Sequence, residues 1–148
     1  MNNKIPPPIL LLICGLFTYY SDHLFSQIQI ASSNVLFILL ILSGVGVIYS
    51  AASSFRKNQT TINPLQPEQA TKLVTAGIFK YSRNPMYLGM ALIILALAFK
   101  FNLIGGLAAF VFFVAYITKF QIMPEEKALL KIFKDEFELY MKKTRRWL

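Results

Sequence analysis

Arg83, Asn84, Pro85, Met86 and Tyr87 stand where a basic segment (Lys72, Lys80, Arg83) meets an apolar run from Met86 to Phe99. Asn-Pro is a favourable helix opening. The asparagine can cap free backbone N–H groups, and the proline fits the first helical position, where its missing N–H is not needed. An arginine, a tyrosine and a cluster of free N–H groups therefore meet at one boundary, and a helix N-terminus of this kind accepts anions such as a carboxylate. A second helix start reads Pro124-Glu125-Glu126. Its two acids fall in the first turn, where the helix dipole favours negative charge, and they can meet a cation or hydroxyl groups. A small molecule carrying one carboxylate and one ammonium matches this pair of helix ends.

Other chemistries are excluded by what is missing. His23 is the only histidine and Cys14 the only cysteine. A zinc site or a Ser-His-Asp triad beside Arg83 has no ligands or base to draw on, and no internal disulfide can form. Cys14 reads as a small buried residue of the first apolar run, and His23, next to Asp22, as a solvated loop residue.

The elements that carry these residues are apolar. Hydrophobic residues make up 55% of the 148-residue chain, aromatics reach 14%, and the formal net charge is +8. Such composition points to an all-α integral membrane protein. Four transmembrane helices are expected at about 5–21, 34–55, 85–100 and 103–123; the second and fourth meet the ~20 residues a bilayer requires, and the first and third are short. Lysine and arginine fall at 4, then from 56 to 83, then from 119 onward, and residues 21–33 carry none. The positive-inside rule then puts both termini and the 56–84 loop in the cytoplasm. The basic residues flank apolar runs instead of forming a soluble basic domain, so membrane lipids and not nucleic acid are the expected partners.

Asn63-Pro64 and Gln66-Pro67 mark turns in the loop, and Gly77 is expected to allow a sharp bend. At the other end, Pro124 should kink or stop the fourth span. Leu129, Ile132, Phe133, Phe137, Tyr140 and Met141 recur at helical spacing after it, which predicts an amphipathic helix over 124–145.

Residues 73–89, Leu-Val-Thr-Ala-Gly-Ile-Phe-Lys-Tyr-Ser-Arg-Asn-Pro-Met-Tyr-Leu-Gly, resemble the signature of the isoprenylcysteine carboxyl methyltransferase family, relatives of the phospholipid N-methyltransferases. The second half of that signature is matched by Glu125-Glu126, Leu129, Phe133, Phe137, Tyr140 and Arg146-Trp147, in order and spacing. The resemblance covers about half the chain. It implies an integral membrane enzyme that uses S-adenosylmethionine, with a pocket drawn from Lys72, Leu73, Val74, Phe79, Asn84, Pro85, Met86, Tyr87, Glu125 and Glu126. It also implies a lipophilic acceptor, either the carboxylate of a prenylcysteine-like compound or a lipid amine, with Arg83, Tyr87 and Lys119 facing it. Three departures stand out. Asn84 replaces a histidine, Lys134 replaces the usual glycine after Phe133, and Lys119 stands where some members carry arginine.

Methyl transfer from a sulfonium depends chiefly on alignment and dehydration, which suits a site with no histidine. Two other readings fit parts of the sequence: an NADPH-dependent membrane reductase of related fold, and a non-enzymatic small membrane protein.

Overall fold

A computed structural model describes residues 5–26, 28, 33–58 and 72–148. The turns at Asn63-Pro64 and Gln66-Pro67 lie outside them. The described residues are helical with no strand. Helix α1 spans Pro7–Tyr20, α2 Ser33–Lys57, α3 Pro85–Lys100, α4 Leu103–Ile117 and α5 Met123–Lys143. Short 3-10 turns cover Ser21–His23 and Gly77–Lys80.

All four apolar runs are helices, but among the described residues only two helices are long and apolar enough to cross a membrane: Ser33–Lys57 and the continuous helix Leu103–Lys143. Helix α1 has 14 residues and α3 has 16. The expectation of four full spans is therefore met in number of helices and not in length. The surface is inverted relative to a water-soluble protein. Val35, Ile38, Leu39, Leu42 and Val45 are all more than half exposed along α2. Such a contiguous apolar face suits lipid more than water.

The short third helix is the centre of the bundle. It packs against α1, α2 and α4, and Ile94, Ala96 and Ala98 are fully enclosed. Its approach to α2 is set by two glycines. A Cβ on Gly89 would stand 2.6 Å from the Gly44 carbonyl oxygen, and one on Gly44 would stand 2.8 Å from the Gly89 carbonyl oxygen. Small residues at a helix crossing let backbones approach this closely, which is the usual packing device between membrane helices. At the far end Asn102 closes the turn into α4. Its side chain accepts from Gly105 N at 2.9 Å and donates to Phe25 O at 3.0 Å.

Of the two outcomes expected at Pro124, a kink or a stop, the stop does not occur. The proline's missing N–H and bulky ring disrupt the ladder to residue 120, and the helix widens for one π-helical turn, Thr118–Ile122, before continuing as α5. The apolar stretch ends there, and charged residues follow from Glu125. The amphipathic helix is itself interrupted at Lys134, whose φ of 43° and ψ of −120° are not helical. This is the position where the resembling family carries glycine, the residue that adopts positive φ without steric cost. Phe137 and Tyr140 of α5 pack with Val74, Phe79 and Ala51 in a second hydrophobic cluster, outside the main core of α1, α3 and α4.

Candidate functional site

Both helix starts come together at the basic end of the bundle. Gly77, at φ 65°, begins the 3-10 turn that precedes Arg83 and supplies the sharp bend expected of it. The turn is stitched to the C-terminal segment through main-chain acceptors on both sides. Tyr140 Oη donates to Phe79 O at 2.6 Å, Arg83 N donates to Arg145 O at 3.0 Å, and Asn84 Nδ2 donates to Arg146 O at 2.9 Å. Asn84 thus occupies the N-cap position of α3 but does not cap it with its side chain. The amide reaches back to the tail, so the expected cap hydrogen bond is absent.

Glu126 is the hub. It accepts from Arg83 Nη2 at 2.6 Å through one oxygen and from Arg146 Nη2 at 2.6 Å through the other. Arg146 Nε adds a third contact at 3.1 Å. Burial opposes the Glu126 charge, but the hydrogen bonds from Arg146 and Arg83 outweigh it and hold the carboxyl below its ordinary range. Arg83 is 10% exposed and also donates to Thr144 O at 2.6 Å and Met141 O at 3.2 Å. Its Nε is buried with no acceptor. That orphaned donor is costly unless something accepts from it.

Glu125 has a different setting. It accepts from Tyr87 Oη at 2.6 Å and from the Gln121 amide, both neutral partners. Burial pushes its carboxyl up to about 7, against the hydrogen bonds of Gln121 and Tyr87. Two adjacent glutamates are therefore driven in opposite directions, one by paired cations and one by enclosure. The π-helical turn contributes Gln121 to this arrangement and Thr118 Oγ1 to the indole N–H of Trp147, at 3.1 Å.

A cleft of ≈ 200 Å³ opens beside the hub, lined by Met123, Glu126, Lys127, Leu130, Met141 and Arg146. Its donor set suits the amino-acid end of S-adenosylmethionine. Arg146 matches a carboxylate and Glu126 an ammonium, while Arg83 stands behind Glu126 and does not line the cleft. Leu130 and Met141 join the cleft to the second hydrophobic cluster, which suits the apolar remainder.

The expected site residues divide into three groups. Arg83, Asn84, Tyr87, Glu125 and Glu126 lie together at one end of the bundle, with Pro85 buried at the start of α3. Leu73, Val74, Phe79 and Met86 belong to the second hydrophobic cluster, where they pack under α5. Lys72 and Lys119 are exposed, and Lys119 lies 5.5 Å over the Phe120 ring, with no hydrogen bond to the hub. Arg83 is held by Glu126 and two carbonyls instead of standing free for an acceptor. The residues not anticipated as site members are Gln121, Thr144 and Arg146. Arg146-Trp147 carried a signal in the signature. Gln121 was visible as the polar residue four places before Glu125, on the same helix face.

A family model described as phospholipid methyltransferase matches residues 33–136, which takes in α2, α3, α4 and most of α5. No curated protein matches, and no solved structure does. The matched range contains the Arg83-Asn84-Pro85 helix start and the Glu125-Glu126 pair that the fold brings together. With more than half its length matched, two apolar helices long enough for a membrane and both signature halves in one polar cluster, the chain belongs to the phospholipid methyltransferase family.

Proposed function

We propose that this protein transfers the methyl group of S-adenosylmethionine to a lipophilic acceptor at the cytoplasmic membrane face. The observation that supports it best is the cleft lined by Glu126 and Arg146, with Arg83 of the other signature half bound to Glu126 behind it. When bound, S-adenosylmethionine supplies a methyl carbon already activated by its sulfonium. The chain's own residues orient and dehydrate. Arg146 holds the carboxylate end, Glu126, fixed in place by Arg83, holds the ammonium end, and Leu130, Met141 and Met123 exclude water beside it. Tyr87 and Glu125, at the start of α3 and the turn into α5, face the acceptor head.

In this reading all four apolar helices lie in the bilayer, with α1 and α3 accommodated by local thinning. Both termini and the 56–84 loop face the cytoplasm, as the lysine and arginine distribution supports. The acceptor enters laterally from lipid and the cofactor from water. The test is methyl transfer from labelled S-adenosylmethionine to a total lipid extract and to prenylated cysteine analogues. Label in a lipid-soluble product is expected, and long-tailed acceptors should far outperform tailless ones because each buried methylene adds about 0.8 kcal/mol. Equal turnover of tailless and long-tailed acceptors would contradict lateral entry, and no transfer to either class would remove the proposed activity.

A further inference from the structure

The hydrogen bonds that close the site also assemble a surface. Phe79 O accepts from Tyr140, Lys80 O from Thr144 Oγ1 at 3.4 Å, and Arg145 O from Arg83 N. Two segments distant in sequence are thereby set side by side, with Lys80, Lys142, Lys143 and Arg145 all exposed. Neither of the two ion pairs among the described residues uses any of the four. The exposed acids of α5, Asp135, Glu136 and Glu138, all precede Lys142, and no acid follows it, so the end of the chain is purely basic.

The surface is also partly apolar. Tyr81 is 71% exposed and Leu139 is 56% exposed beside these cations. Tyr81 lies four residues before Pro85, where the apolar helix α3 begins. Cations flanked by an exposed tyrosine and leucine at the mouth of an apolar helix have the composition of a bilayer interface. A soluble acidic protein would leave that apolar fringe wet. We propose that Lys80, Lys142, Lys143 and Arg145 form a binding surface for the phosphate headgroups of acidic phospholipids, distinct from the Glu126 cleft. The surface stands independently of the methyl-transfer reading, because neither its residues nor its readout involve the cofactor.

The test is spin-labelled phosphatidylglycerol against spin-labelled phosphatidylcholine, each equilibrated with the purified full chain in bilayer nanodiscs. The wild-type protein should retain the acidic lipid preferentially, and the preference should weaken with salt. A Lys or Arg near an anionic membrane surface is worth roughly fivefold in association, so Lys142→Gln with Lys143→Gln should reduce the preference about tenfold or more. The charge-matched control, Lys119→Gln with Lys131→Gln, should keep it. Equal retention of both lipids by the wild type would overturn the proposal, as would equal losses in the two variants. Displacement of the acidic lipid by inorganic phosphate, beyond the effect of chloride at the same ionic strength, would replace the lipid surface with a soluble-anion site.

Discussion

Glu126→Gln keeps the shape of the hub and removes its charge, which leaves Arg83 nearly enclosed with no counterion. Glu126 is 14% exposed and Arg83 10%. Breaking a buried pair by removing one partner costs about 3–5 kcal/mol. Arg83 keeps its bonds to the Met141 and Thr144 carbonyls, and the glutamine oxygen can still accept one hydrogen bond, so a loss of about 2–3 kcal/mol is expected. Arg146 is 37% exposed and its pairing is screened by solvent, so its coupling to Glu126 should stay at or below about 1 kcal/mol. Two double-mutant cycles measure this asymmetry: Arg83→Gln with Glu126→Gln, and Arg146→Gln with Glu126→Gln. Unfolding in micelles can be followed through Trp147, the only tryptophan, which packs against the π-helical turn and reports directly on the tail. Coupling of about 2 kcal/mol for the first cycle and less than half that for the second is the expected outcome. Equal couplings, or a Glu126→Gln variant within about 0.5 kcal/mol of wild type, would refute the hub.

Lys134→Gly should raise stability by about 1 kcal/mol, because a φ of 43° strains any residue with a Cβ and glycine relieves it; unchanged or lower thermal stability would count against the break in α5. Gly89→Ala should cost about 1–3 kcal/mol, since the new Cβ meets backbone that cannot yield, while Gly46→Ala, with nothing within 4 Å, should be neutral or stabilising. Glu125 gives a pH prediction with a definite sign. Its folded-state carboxyl is raised from 4.5 to about 7, so its contribution is fully present below about 4.5 and is lost as pH rises through about 7. At about 1.4 kcal/mol per pH unit, the wild type should lose up to about 3 kcal/mol relative to Glu125→Gln across that window. Thermal unfolding from pH 4 to 8 measures it, and parallel curves for the two proteins would reject the enclosed carboxyl.

What the sequence made legible was local and periodic. Asn84-Pro85 announced the start of α3, Glu125-Glu126 marked the first turn of α5, and apolar spacing traced the helices. The meeting of the two signature halves was implied by the family resemblance, and the residues alone placed both helix starts on the basic side. Tertiary packing was not. Gly89 read as part of a motif, and only the Gly44 carbonyl beside it reveals a helix crossing. Leu73, Val74, Phe79 and Met86 have the same residue types whether they line a ligand or pack under α5, so composition could not separate the two. Pro124 signalled a disturbance of the helix but not its form, because breaking and widening both relieve the same clash. Arg83 looked like a free cation until the fold supplied Glu126 and two carbonyls from distant positions.

The central claim, one S-adenosylmethionine site built by both signature halves, is tested most directly by calorimetric binding of S-adenosylmethionine to the purified protein in micelles. Saturable binding is expected in the wild type and in Lys119→Gln. Arg146→Gln and Glu126→Gln, measured well below their unfolding temperatures, should each weaken it about tenfold or more through loss of a charge-assisted contact. No saturable binding to the folded protein, NADPH binding in place of S-adenosylmethionine, or unchanged affinity in both variants would contradict it.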